Sequence, residues 1–147
     1  MGAQEAAERR TESLNKLHTL IETRDRTLVL FSQLIGLRPF EPGEAIQTLL
    51  QEFCETLVDY TASAHFQLYR YIEEGTERRQ AVKTVAAEVY PRIADVTRLI
   101  VEFNDKYDGE TIVEDTAALE RDLAHLGEML ADRIAAEDRI LEALTRR

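Results

Sequence analysis

The chain has 147 residues, 44% hydrophobic and 31% charged, which suits one self-sufficient globular domain and neither a disordered segment nor a membrane protein. Its 28 acids against 18 bases leave a net charge of −10, and residues 101–147 alone hold 13 acids and 6 bases. Nucleic-acid binding rests on clustered Lys and Arg, so this balance argues against a direct DNA or RNA binder and favours a basic protein partner.

The lone cysteine, Cys54, excludes an intrachain disulfide and a thiolate zinc cage. No run of eighteen apolar residues exists, so no membrane contact is expected. The start, Met1-Gly2-Ala3-Gln4-Glu5, lacks a basic-then-apolar leader, and Ala6 breaks the myristoylation pattern that Gly2 invites. The expected location is cytoplasmic.

Four amphipathic helices follow from the spacing of apolar residues at steps of three and four. The first carries Leu14, Leu17, Ile21, Leu28, Phe31 and Ile35. It ends at Gly36-Leu37-Arg38-Pro39-Phe40-Glu41-Pro42-Gly43, which holds two of the three prolines. The second carries Ile46, Leu50, Phe53, Leu57, Tyr60, Ala64 and Tyr71, and stops at Glu74-Gly75-Thr76. The third carries Val82, Val85, Val89, Ile93, Val96, Ile100, Phe103 and Tyr107, and stops at Asp108-Gly109. Pro91 lies inside it and predicts a kink or two helices in series. After a loop from Glu110 to Thr116, the fourth carries Leu119, Leu123, Leu126, Leu130, Leu141 and Leu144. Short connections between such helices predict an all-α fold: an antiparallel four-helix bundle with a kinked or split third helix and short extra helical segments. Residues 1–147 are expected to form a single domain, with no repeat and no low-complexity tract.

Catalytic patterns are missing. A di-iron bundle needs Glu-x-x-His pairs, and none of His18, His65 and His125 has a Glu three residues earlier. Asn104-Asp105-Lys106-Tyr107-Asp108-Gly109 fails as a calcium loop, with Lys106 at its third position and Asp115 at its twelfth. There is no nucleophile elbow and no phosphate loop. Cys54, between Phe53 and Leu57, is expected to be buried and inert. The chain is therefore expected to be a non-enzyme with no cofactor and no metal.

Polar residues that interrupt the stripes carry more information. Arg24 lies between Ile21 and Leu28. Arg133 and Glu137, four apart, fall in the fourth stripe and can pair. Asp59 stands beside Tyr60, and Thr61, His65 and Tyr69 are spaced to share a face. Burying such groups is costly unless they are hydrogen-bonded or paired. By spacing alone, a satisfied network inside the bundle accounts for them better than a groove for a partner.

The second helix is also where a family becomes visible. Phe53-Cys54-Glu55-Thr56-Leu57-Val58-Asp59-Tyr60, Ser63-Ala64-His65-Phe66 and Tyr69 resemble the Rsd/AlgQ family of bacterial anti-sigma regulators. Asn15-Lys16-Leu17, Leu34-Ile35-Gly36-Leu37-Arg38-Pro39, Tyr90-Pro91-Arg92-Ile93, Phe103-Asn104-Asp105 and Arg133 with Glu137-Asp138 and Ile140 follow in the same order. The resemblance covers residues 13 to 144. Where many members carry Asp-Arg-Trp in the first helix, this chain reads His18-Thr19-Leu20 and has no Trp.

The resemblance implies a cytoplasmic, non-catalytic helical bundle from a family in which some members are linked to stationary phase and others to alginate and virulence control. Such a protein binds the primary sigma factor, chiefly its C-terminal region 4, and withholds it from core RNA polymerase and promoter DNA. A monomer in a 1:1 complex is expected. The alternative is a signalling adaptor for a ppGpp synthetase/hydrolase or for the phosphocarrier protein of the sugar phosphotransferase system. The candidate partner-binding residues are Arg24, Asp59, Ser63, His65, Phe66, Tyr69, Arg133 and Glu137.

Overall fold

The computed structural model describes residues 2–73, 79–109 and 112–145. These residues form five α-helices and one π turn. Helix α1 spans Gly2–Ile35 and α2 spans Glu44–Ala64. The π turn, His65–Tyr69, leads into the short α3, Arg70–Glu73. Helices α4, Gln80–Tyr107, and α5, Thr116–Thr145, complete the chain. Among the described residues, no helix is long and apolar enough to cross a membrane.

The four long helices are tied together by cross-contacts. Helix α1 packs along α2, α4 along α5, and α2 against α4. Helices α4 and α5 run in opposite directions: Glu88 pairs with Arg139 at one end and Lys106 with Asp122 at the other, 2.5 and 2.8 Å apart. Helices α1 and α5 also run oppositely, with Arg24 meeting Glu137 while Phe31 meets Gly127. A Cβ on Gly127 would lie 2.6 Å from the Phe31 ring, so the absence of a side chain there lets the ring lie against α5.

The stripes of α2, α4 and α5 fall in the core as the spacing predicts. Leu50, Phe53, Leu57 and Tyr60, then Val82, Ile93, Val96 and Ile100, then Leu119, Leu123, Leu126 and Leu130 are all buried. Phe31, Phe53, Phe103 and Tyr107 form a chain of rings with centroids 6.0, 6.0 and 4.7 Å apart. Together these apolar side chains supply the main driving force for folding.

Helix α1 corrects its expected stripe. Its buried residues are Leu17, Leu20, Thr27, Leu30 and Leu34, whereas Ile21 and Leu28 are exposed. Neighbouring apolar pairs, Leu20 with Ile21 and Leu30 with Phe31, left two registers open, and packing against α2 selects one. Helix α4 corrects the split: it runs unbroken through Pro91. Pro91 and Ala87 are both exposed, so the carbonyl deprived of its helix bond faces water and the ring meets no neighbouring helix. The side chains of Leu14 and Tyr71, and the stop at Glu74-Gly75-Thr76, lie outside what the structure describes.

Polar side chains fix the ends. Asp115 Oδ1 accepts from the Ala118 backbone N–H at 3.0 Å and caps the first turn of α5. Buried Gln47 donates to the Gly109 carbonyl at 2.8 Å and accepts from the Val113 N–H at 3.2 Å, which fastens the approach to α5 onto α2. Cys54 is buried, as expected. Burial, with the nearby Asp108 and Glu55 carboxylates, pushes its thiol up to about 12, so it stays protonated and inert.

Candidate functional site

The polar residues that interrupt the stripes converge at one level of the molecule. Glu137, fully buried on α5, accepts hydrogen bonds from Tyr60 at 2.9 Å and from Tyr69 at 2.6 Å. Arg24 reaches in from α1, 3.4 Å from Glu137 and 2.6 Å from Asp138. Arg133, only 1% exposed, lies one turn before Glu137 with its Nε 3.9 Å from the carboxylate. Its Nη1 donates to Thr97 Oγ1 on α4 at 2.7 Å. Its guanidinium lies 5.3 and 5.7 Å from the ring centroids of Tyr60 and Tyr69.

The π turn makes this meeting possible. Tyr60 and Tyr69 are nine residues apart, about two and a half turns of an ordinary α-helix, which would point them to opposite faces. The π turn, closed by the Arg70 N–H on the His65 carbonyl, inserts an extra residue and swings Tyr69 inward. Tyr90 on α4 donates to the Tyr69 carbonyl at 3.0 Å and supports the widened turn.

The electrostatics follow from this packing. Burial raises the pKa of both phenols, and the adjacent Glu137 carboxylate raises them further against the opposing pull of Arg133. They remain neutral donors. For Arg133, burial disfavours the charge, but Tyr69, Tyr60 and Glu137 outweigh it and raise its pKa. Arg24 behaves likewise, with Asp138 as its main support. Two cations therefore share one buried carboxylate and one at the surface.

Above this network a cleft of about 350 Å³ opens between α2 and α4. Val58, Ala62, Phe66, Ile100 and Val101 form its apolar walls, and Arg133 lines it from α5. Phe66, Val58 and Val101 are 59%, 45% and 51% exposed, so an apolar rim faces solvent. His65, also exposed, lies edge-to-face against Phe66 with centroids 5.0 Å apart. Exposed carboxylates stand within one helical turn of this rim: Glu55 and Asp59 on α2, Glu102 and Asp105 on α4.

The candidate residues thus divide into two groups. Arg24, Tyr69, Arg133 and Glu137 form the interior network, and Glu137 has no surface with which to touch a partner. His65 and Phe66 lie on the cleft, with Thr61 beside them. Asp59 is exposed near the rim, and Ser63 is half-buried outside the cleft lining. The shared face predicted for Thr61, His65 and Tyr69 holds only in part, because the π turn sends the Tyr69 hydroxyl into the core. Val58, Ala62, Thr97 and Val101 escaped the sequence reading. Val58 and Val101 fall off the buried stripes, and apolar residues off the stripe are the one signal that could have marked them.

A family model described as "Regulator of RNA polymerase sigma(70) subunit, Rsd/AlgQ" matches residues 1–145. A protein named "Regulator of sigma D" from Yersinia enterocolitica is 30% identical over 127 residues, 83% of this chain and 75% of its own length. Proteins of the same name from Yersinia pseudotuberculosis and Salmonella newport are each 29% identical, covering 83% and 82% of this chain and 75% and 76% of their own lengths. No solved structure matches the chain.

Proposed function

The chain belongs to the Rsd/AlgQ family, and from that membership we propose that it is a regulator of transcription that binds the primary sigma factor, chiefly region 4, and withholds it from core RNA polymerase and promoter DNA. The helices are arranged as an antiparallel four-helix bundle that presents one binding face, and the protein acts stoichiometrically in the cytoplasm rather than as an enzyme.

The observation that supports this reading best is the apolar rim of Phe66, Val58 and Val101 set among carboxylates. Region 4 is a basic helix-turn-helix module that docks on DNA phosphates. An acidic surface can meet the same basic residues in place of phosphate. Charge mainly speeds and steers such an encounter, and the buried aromatic contact holds it. Phe66 is the natural anchor. Asp59 and His65 flank it, while Arg24, Tyr69, Arg133 and Glu137 act from beneath by fixing the shape of the rim.

The test is titration calorimetry of the purified protein with a region 4 fragment and, separately, a region 2 fragment of the primary sigma factor. Region 4 should bind 1:1, and more weakly as salt rises. Phe66→Ala should weaken binding at least about tenfold, the scale of an interface anchor, with an unchanged melting curve. Absence of region 4 binding at low salt, or full binding by Phe66→Ala, would overturn the reading.

A further inference from the structure

We propose that the cleft between α2 and α4 is a binding site for a small carboxylic acid with an aromatic or branched apolar body, held at its inner end by Arg133. The inference goes beyond the sigma reading and rests on the cleft itself, so either can fail without the other.

Arg133 has more hydrogen-bond donors than acceptors within reach. A guanidinium offers five N–H donors. Arg133 is 1% exposed; its Nη1 donates to Thr97, but its Nε has no hydrogen-bond partner. The nearest carboxylate, Glu137, lies 3.9 Å from that Nε and is already taken by Tyr60, Tyr69 and Arg24. Apart from His65 at its exposed edge, the polar groups that share the cleft are already engaged: Thr97 accepts from Arg133 Nη1, and Tyr69 donates to Glu137. Thr61 and Thr97 donate to the Leu57 and Ile93 carbonyls of their own helices, and Asn104 donates to Asp108. Leaving a buried charged donor without an acceptor is costly, and the deficit falls on a residue that lines a cleft.

The cleft has the form of a small-molecule site. Its volume of about 350 Å³ is within the range such sites occupy, and most of its wall is apolar. A carboxylate matches the planar fork of an arginine, and its charge balances a cation removed from water. The remaining length of the cleft, between Phe66, Val58, Ile100 and Val101, suits a ring or a branched chain. A neutral ligand would supply an acceptor at most and no counter-charge. A cation would meet Arg133 directly.

The experiment follows backbone amide shifts of the full chain during titration with phenylacetate and with its neutral isostere, phenylacetamide. Benzoate and hexanoate extend the series to shorter and aliphatic bodies. At least one acid should shift Ala62, Phe66 and Val101 saturably. Phenylacetate should bind at least about tenfold tighter than phenylacetamide, the scale of a charge-assisted pair. Arg133→Gln should abolish that preference. Should that variant fail to fold, Ala62→Phe, at an exposed helix position on the cleft, carries the test by filling the space and should remove binding. Absence of saturable shifts with all three acids, equal affinity for phenylacetate and phenylacetamide, or undiminished binding by Ala62→Phe would each overturn the proposal.

Discussion

Replacing Glu137 with Gln keeps the shape of the side chain and removes the charge on which four residues converge. Tyr69, at 2.6 Å, and Tyr60, at 2.9 and 3.1 Å, engage both carboxylate oxygens, and an amide offers only one acceptor. Arg133, buried beside them, loses its nearest counter-charge. Breaking a buried ion pair from one side costs about 3–5 kcal/mol, because the remaining charge stays buried without compensation. For a chain of this size that lowers the melting temperature by about 10 °C. Thermal unfolding followed by circular dichroism at 222 nm measures it.

A double-mutant cycle sharpens the test. Tyr69→Phe alone should cost about 1.5–3 kcal/mol, from one lost hydrogen bond to a charged acceptor. In the Glu137→Gln background the same change should cost much less, since the charged acceptor has already gone and a single amide oxygen remains for both phenols. A Glu137→Gln protein that melts within about 2 °C of the parent, or additive losses in the cycle, would refute the view that this network acts as a unit.

Other outcomes follow from the same structure. Cys54 should resist thiol reagents in the native protein and react at the rate of unfolding, which labelling across a denaturant series would reveal. Stability should fall as the pH rises above 9. The native thiol holds its proton to about 12 while the unfolded thiol releases it near 9.0, a window worth about 4 kcal/mol. Tyr60 and Tyr69, whose native pKa values are raised above 10.0, deepen the fall above that pH, and urea midpoints against pH would show both slopes. Gly127→Val should cost about 1–3 kcal/mol by pushing the Phe31 ring off α5. In a Phe31→Ala background the penalty should shrink, as paired urea titrations would register.

The sequence by itself determined the helical class, the stripes of α2, α4 and α5, the turns at Gly36 to Gly43 and at Asp108-Gly109, and the burial of Cys54. Each depends on residues within a few positions of one another, where helix period and turn chemistry act. It also determined the family, because the helix-two motif and its collinear companions can be read without coordinates. The pairing of Arg133 with Glu137 was equally visible, since a four-residue step is local.

Tertiary structure decided the rest. The register of α1 turned on contact with α2, since two apolar stripes were available and burial could serve only one. Pro91 did not divide α4, because the helix turns it toward water. Tyr69 joined Tyr60 on Glu137 only through a π turn that no short-range pattern announced. The carboxylate that anchors it lies 68 residues away. The cleft arises from the same cause: its walls come from α2 and α4, its inner end from α5, and its rim from apolar residues that look incidental in the sequence. Local rules fix the period of each helix, but the rotation of one helix against another depends on packing among distant side chains, and the face that a partner would meet is set by that rotation.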